Sequence, residues 1–147
     1  TTECAKKEQE AKKEFKALQT IVEKDDRLFA EGSYHEACEE YAEAMLYYDY
    51  IFHKKLRTPE QLKVSSDAYL GALSDLTGEL ARKAVQFAIK TKFDEIYEIS
   101  ECISSIHKEM MNFSFRNSAL RKKSDAIKWN LNKVEDILYD IELKRKS

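Results

Sequence analysis

The stretch Ser65–Thr91, SSDAYLGALSDLTGELARKAVQFAIKT, decides how this chain is read. Tyr69, Leu73, Leu76, Leu80, Ala84 and Phe87 recur at steps of three and four, the period of a helix with one apolar face. Ser65-Ser66-Asp67 supplies a start signal, and no proline interrupts the run. Beyond Asp67 two acids stand inside it, Asp75 and Glu79, one helical turn apart on the same face. Between Ala68 and Leu80 they are the only charges. Ala68 and Ala72 precede Asp75 on about the same stripe, so this face is small and open to close approach. Gly78 stands mid-helix, where glycine costs about 1 kcal/mol relative to alanine. Its place beside two acids points to close packing or ligand access.

The flanking sequence carries the same period. Residues 3–30 are Lys/Glu-rich, with Ala11, Phe15, Leu18, Ile21, Val22, Leu28 and Phe29 at helical spacing, and Gly32 is read as their end. Ser33 and Glu36 form a capping-box pattern for a second helix, which runs to about Leu56. Thr58-Pro59-Glu60-Gln61 is a further start signal, with Thr58 as cap, and opens a short helix only. Asp94 begins a helix over 94–112 with Ile96, Ile99, Ile103, Ile106 and Met110 on one stripe. Asn117 caps the last helix, where Leu120, Ile127, Leu131, Val134, Leu138 and Ile141 form a coiled-coil-like seam. No strand pattern and no internal repeat occurs. The fold class is therefore all-α, an antiparallel bundle of five long or medium helices plus a short one.

Composition agrees. The 147 residues fit one domain, 1–147, and the three Gly and single Pro are too few for a turn-rich sheet protein. The net charge of −2 supplies no broad cationic field, so any nucleic-acid binding relies on local basic groups or a metal. Cys4, Cys38 and Cys102 lack metal-ligand spacing and read as reduced thiols, which sets the expected location as the cytoplasm, or the nucleus in a eukaryote. No stretch approaches the roughly 20 apolar residues of a membrane span, and no signal peptide is read. The chain opens on Thr1-Thr2 rather than Met, as a trimmed chain would.

A second acidic pair, Glu40 and Glu43, lies on the preceding helix at i,i+3 spacing. Taken alone, such a pair is more often a solvated face. If the two helix faces meet, four carboxylates converge and repel, and a divalent cation between them resolves the repulsion. An all-oxygen set suits a hard ion, Mg²⁺, with Mn²⁺ as a substitute. His35, His53 and His107 form no Glu-x-x-His pair, which argues against a di-iron bundle.

The segment Ser74–Arg82, SDLTGELAR, resembles the signature of the translin-associated factor X family, and Glu40–Ala44, EYAEA, is similar to that family's EYVEA helix. Residues 117–145 are similar to the last helix of translin. The family usually begins with a further long helix, and residues 3–30 look like its second. The resemblance implies a translin-type subunit of a closed, roughly octameric shell, as a homo-oligomer or with a translin-like partner. It also implies a metal-dependent endoribonuclease acting on single-stranded RNA, with its nuclease acids at the positions of Glu40, Glu43, Asp75 and Glu79. Translin proper lacks the complete set and mainly binds nucleic acid, so the four acids argue for the catalytic type.

Arg82 is read either as an i,i+3 ion pair with Glu79 or as a phosphate contact. Lys54, Lys55 and Arg57 favour a helix macrodipole or touch RNA phosphates. Arg121-Lys122-Lys123 is read as a solvated face, with RNA binding as the alternative. Tyr47, Tyr48 and Tyr50 are base-stacking candidates but are more often core or interface at this spacing, and Trp129 reads as packing or interface. The sequence does not choose between Glu43 and Glu79 as proton acceptor. Two other functions compete with the nuclease. One is a non-catalytic subunit binding single-stranded nucleic acid. The other is an all-α nucleoside triphosphate pyrophosphohydrolase, whose second acidic pair is usually spaced i,i+3 rather than the i,i+4 of Asp75 and Glu79.

Overall fold

The computed structural model describes residues 2–116 and 118–147. Among them the helices are α1 (Thr2–Val22), α2 (Asp26–Phe29), α3 (Gly32–His53), α4 (Pro59–Leu62), α5 (Ser66–Ile89), α6 (Phe93–Met110) and α7 (Ser118–Lys146). No strand occurs among these residues, so the all-α class holds. None of these helices is long and apolar enough to cross a membrane.

Two boundaries and one buried stripe are as the sequence implies. Thr58 and Gln61 close a reciprocal capping box around Pro59. The Ser65 hydroxyl accepts from the Ala68 amide at 3.2 Å and starts α5. The α6 stripe of Ile96, Ile99, Ile103, Ile106 and Met110 is buried throughout. Each such residue contributes about 1.5–3 kcal/mol by leaving water.

Two boundaries differ. Residues 3–30 are not one helix, because the chain breaks after Val22. Asp25 takes an extended backbone, and its carboxylate accepts from the Arg27 amide at 2.9 Å to start α2. A short acidic side chain that bonds its own downstream backbone competes with helix continuation. Leu28 and Phe29 thereby leave the apolar stripe, and Phe29 is 64% exposed. Gly32, expected to end a helix, instead begins α3 with an ordinary negative φ. Glu31 occupies the cap position without a side-chain hydrogen bond, so Ser33 lies inside the helix and does not cap it. The expected cap Asn117 lies outside the described residues.

By internal packing the chain divides into two units, Thr1–Ala72 and Leu73–Ser147, with the division falling inside α5. In the first unit α1 and α3 run antiparallel. Phe15 stacks on Tyr41 with ring centroids 3.9 Å apart, while Glu8 and Asp49 meet at one guanidinium farther along. Phe15, Cys38 and Ala68 form a buried cluster, covered by Leu18, Tyr34, Tyr41 and Val64. At Gly71 a Cβ would clash with the Glu39 carboxylate. The small residue lets α3 approach α5 there, at a position the sequence reading did not single out.

In the second unit α5, α6 and α7 make an up-down-up bundle. Tyr97 near the start of α6 donates its hydroxyl to Glu142 near the end of α7, so this pair is antiparallel. The α7 seam is used inside this unit, with Leu120, Ile127, Leu131, Val134 and Ile141 buried and Leu138 half-buried. Along α5 and α7 three bridges follow one another. Ser74 donates to the Lys123 carbonyl, Lys123 pairs with Asp75, and Asn130 donates to the buried Thr77 hydroxyl at 2.9 Å. The Thr77 hydroxyl in turn donates to the Ser74 carbonyl at 2.6 Å, so both of its hydrogen-bonding roles are filled.

Gly78 does not mark a tight contact. A Cβ there would meet the Asn130 amide at 3.6 Å, an ordinary van der Waals distance. Gly78→Ala is therefore expected to stabilise the protein by about 1 kcal/mol. Thermal unfolding followed by circular dichroism should show a midpoint raised by about 3 °C. A lowered midpoint would show that α5 has no room at this position.

Candidate functional site

Asp75 and Glu79 sit on the flank of α5. The row Ala68, Ala72, Leu76, Leu80 and Ala84 is fully buried, and both acids lie beside it, half-buried. Helix geometry alone gives this placement, because each acid precedes a buried leucine by one residue, about 100° around the axis. Glu40 and Glu43 take a similar flanking position on α3. Ala42, Met45 and Leu46 are buried there, Glu40 is exposed and Glu43 is half-buried. Each pair therefore presents oxygen donors from one helix, the first pair in the first unit and the second pair in the second. Within either unit, no three His, Cys, Asp or Glu side chains among the described residues could by themselves hold a metal ion.

Asp75 and Glu79 each have a cationic neighbour. The Lys123 ammonium stands 2.6 Å from Asp75 Oδ2. The Arg82 guanidinium lies 3.6 Å from Glu79 Oε1, so the i,i+3 ion pair does form. Arg82 is largely exposed, and such a pair contributes at most a few tenths of a kcal/mol. Lys123, expected on a solvated face, is instead turned inward to α5. The donors are carboxylate oxygens only, the type a hard divalent cation takes, and Asp75 pairs with one ammonium.

The basic residues after α3 fall into different environments. The helix ends at His53, so Lys54, Lys55 and Arg57 lie beyond its last turn. Lys54 takes a left-handed backbone as the cap residue, with its ammonium 4.6 Å from the Tyr50 ring centre. Lys55 is exposed and lines a cleft of about 500 Å³ with Lys12, Tyr48, His53 and Gln61. Arg57 is committed inward. Its Nε donates to Asp49 at 2.9 Å, its Nη1 to Glu8 at 3.0 Å, and its backbone amide to Asp49 at 2.9 Å. Lys12 pairs with the other side of the network at Glu8. Burial would raise the Glu8 pKa, but hydrogen bonds from Lys12 and Arg57 outweigh it and hold the carboxyl below its ordinary value.

Among the tyrosines, Tyr50 is buried, and Tyr48 packs against Phe52 with centroids 4.9 Å apart. Trp129 is 74% exposed and is not a core residue. Glu8, Asp49 and Lys123 are charged residues whose importance the sequence reading missed. Asp49 carries a signal, since it follows Ala42, Met45 and Leu46 on the buried stripe of α3 at helical spacing. Lys123 carries none, because its partner is 48 positions away.

Comparison with known proteins accords with this arrangement. Translin of Gallus gallus is 29% identical over 76 residues, which is 52% of this chain and 33% of that protein. Translin of Homo sapiens is 28% identical over 76 residues, with the same shares of both chains. The matched segment thus spans about a third of the length of these curated relatives. The crystal structure of apo-NeC3PO superposes with a TM-score of 0.85 over 92% of this chain and 72% of that one, at 23% identity. The crystal structure of AfC3PO superposes with a TM-score of 0.69 over 98% of this chain and 80% of that one, also at 23% identity. These two likenesses speak for the helical fold. The description Translin family matches residues 1–145, nearly the whole of the sequence in which SDLTGELAR and EYAEA were read, and the chain belongs to that family.

Proposed function

We propose that the chain is a subunit of a metal-dependent endoribonuclease acting on single-stranded RNA, with Glu40, Glu43, Asp75 and Glu79 holding Mg²⁺ or Mn²⁺. The observation that carries the reading is the flank of α5. Two carboxylates one turn apart stand half-exposed beside a fully buried row, and one of them already faces a cation. A bound divalent ion supplies positive charge at the scissile phosphate and eases deprotonation of the attacking water. The protein's own residues do the rest. Buried Leu76 and Leu80 fix the rotation of α5, so that Asp75 and Glu79 keep their common face. An oxygen of Glu43 or Glu79 accepts the proton of the water. Arg82, exposed at the end of this face, meets the phosphate backbone. Lys54 and Lys55 serve as further phosphate contacts, Lys55 from the rim of the cleft in the first unit. Arg57 acts there through Asp49 and Glu8 as an organiser of the cleft wall.

The reading extends to assembly into an oligomer, homomeric or with a translin-like subunit, of about eight copies in a closed shell. Trp129, Tyr139 and Leu143 support it, because they leave large apolar side chains exposed along α7. The cytoplasm is the proposed location. A second reading, a non-catalytic subunit binding single-stranded nucleic acid, is favoured by the matched relatives being translins.

The test is incubation of a labelled single-stranded RNA with the protein and Mg²⁺ or Mn²⁺, in parallel with chelator and with a blunt duplex of the same sequence. Cleavage of the single strand is expected only with metal, and the duplex should be largely spared. A chain of net charge −2 lacks the broad basic surface that holds a stiff duplex, whereas a flexible strand can bend a phosphate onto half-buried acids. Binding that persists in chelator, with no cleavage at any metal concentration, would select the second reading.

A further inference from the structure

We propose that Lys123 is the internal counter-cation of Asp75. In the metal-free protein its ammonium holds the place of a divalent ion on Asp75 Oδ2, and so sets how tightly that ion binds. The inference rests on the metal-site reading above and adds a competitor to it.

The geometry separates this pair from an incidental surface contact. Lys123 is not a helical neighbour of Asp75; it arrives from α7, 48 residues later in the chain. Its Nζ reaches Asp75 Oδ2 at 2.6 Å, and the two side chains are only 30% and 37% exposed. The backbone that carries it is pinned, since the Ser74 hydroxyl donates to the Lys123 carbonyl. Farther along the same two helices, the Asn130–Thr77 hydrogen bond sets the register a second time. The Glu79–Arg82 pair has none of these supports, being a local i,i+3 contact at 3.6 Å on an exposed arginine.

The chemistry of lysine suits the role. An ammonium is a compact point charge on a flexible four-carbon stem, without the planar fork by which arginine locks onto a carboxylate. It neutralises Asp75 while no metal is present, which limits repulsion from Glu79 on the same face. A divalent ion arriving at Asp75 carries the same sign as the ammonium. Whether the ion displaces the ammonium from Oδ2 or takes Oδ1 beside it, the lost pair or the repulsion between like charges is subtracted from the affinity of the ion. Lys123 thereby acts as a threshold, admitting the ion only above a concentration that the pair sets.

The experiment measures Mn²⁺ binding to the full chain by the paramagnetic resonance signal of free Mn²⁺, for the wild type, Lys123→Met, Lys123→Arg and Asp75→Asn. Lys123→Met is expected to bind about fivefold more tightly. Lys123→Arg keeps the charge and adds the planar fork, so it should bind Mn²⁺ no more tightly than the wild type. Asp75→Asn should lose the site. Lys123→Gln gives the same readout if the methionine variant does not fold, as judged by circular dichroism. Unchanged or weaker Mn²⁺ binding by the neutral variants, with Asp75→Asn still losing the site, overturns the counter-cation and leaves the metal site standing. Mn²⁺ binding that Asp75→Asn leaves untouched overturns the metal site and the counter-cation with it.

Discussion

Asparagine in place of Asp75 is expected to lower metal-dependent cleavage of single-stranded RNA by at least about a hundredfold, close to 3 kcal/mol of transition-state stabilisation. The fold should be unaffected. Asn has the shape of Asp and can still accept a hydrogen bond from Lys123 at this half-exposed position on α5. What it removes is the formal charge, on which retention of a hard divalent ion depends. Rates under single-turnover conditions, with circular dichroism and light scattering as controls for fold and assembly, provide the check. Full cleavage by a folded Asp75→Asn protein would remove Asp75 from the site.

The second large effect concerns stability. Arg57→Met is expected to destabilise the first unit by about 3 kcal/mol, because it leaves two carboxylates, Asp49 and Glu8, buried beside each other without their shared cation. For a chain of 147 residues this corresponds to a thermal midpoint lowered by about 10 °C. The pH dependence adds a second signature. Glu8 has a folded-state pKa below its ordinary value of 4.5, so its stabilising contribution is fully present above that value and is lost as the pH falls through the folded pKa. Removing Arg57 takes away one of the two partners that offset burial, so in the variant the loss of stability should begin at a higher pH. Urea unfolding between pH 3 and pH 7 would measure both. A change under about 1 kcal/mol would mean that Asp49 and Glu8 find water or other donors once Arg57 is gone.

Much of the fold is legible in the sequence because it depends on short-range periodicity. The isoleucines of α6 recur on a single stripe, and Thr58-Pro59-Glu60-Gln61 holds both halves of its capping box within four residues. The failures have a common physical origin. The break at Asp25 depends on a side chain competing for its own backbone, which leaves no trace in the spacing of apolar residues. Gly32 and Gly78 were given roles that their neighbours do not require, while Gly71 accommodates the Glu39 carboxylate. The candidate acids were found from helical spacing and from the translin-type motifs. Their cationic neighbour was not, because the Asp75–Lys123 pair is a product of how α7 lies along α5. Arg57 likewise looks like one more basic residue after a helix until the buried Asp49 and Glu8 are seen to face it.

The chain takes a left-handed backbone at Lys54, Lys63 and Thr91, among the described residues, and at no glycine. Each costs about 1 kcal/mol that a glycine would not. In each case something specific accompanies the strain. The Lys54 ammonium lies over Tyr50, the Lys63 carbonyl accepts from Gln19 at 2.7 Å, and the Thr91 hydroxyl donates to the Lys90 carbonyl at 2.7 Å. The helix junctions therefore work as keyed joints rather than swivels. Loss of the Gln19 amide would free the Lys63 carbonyl and loosen that joint, and with it the entry into α5, whatever side chain residue 63 carries.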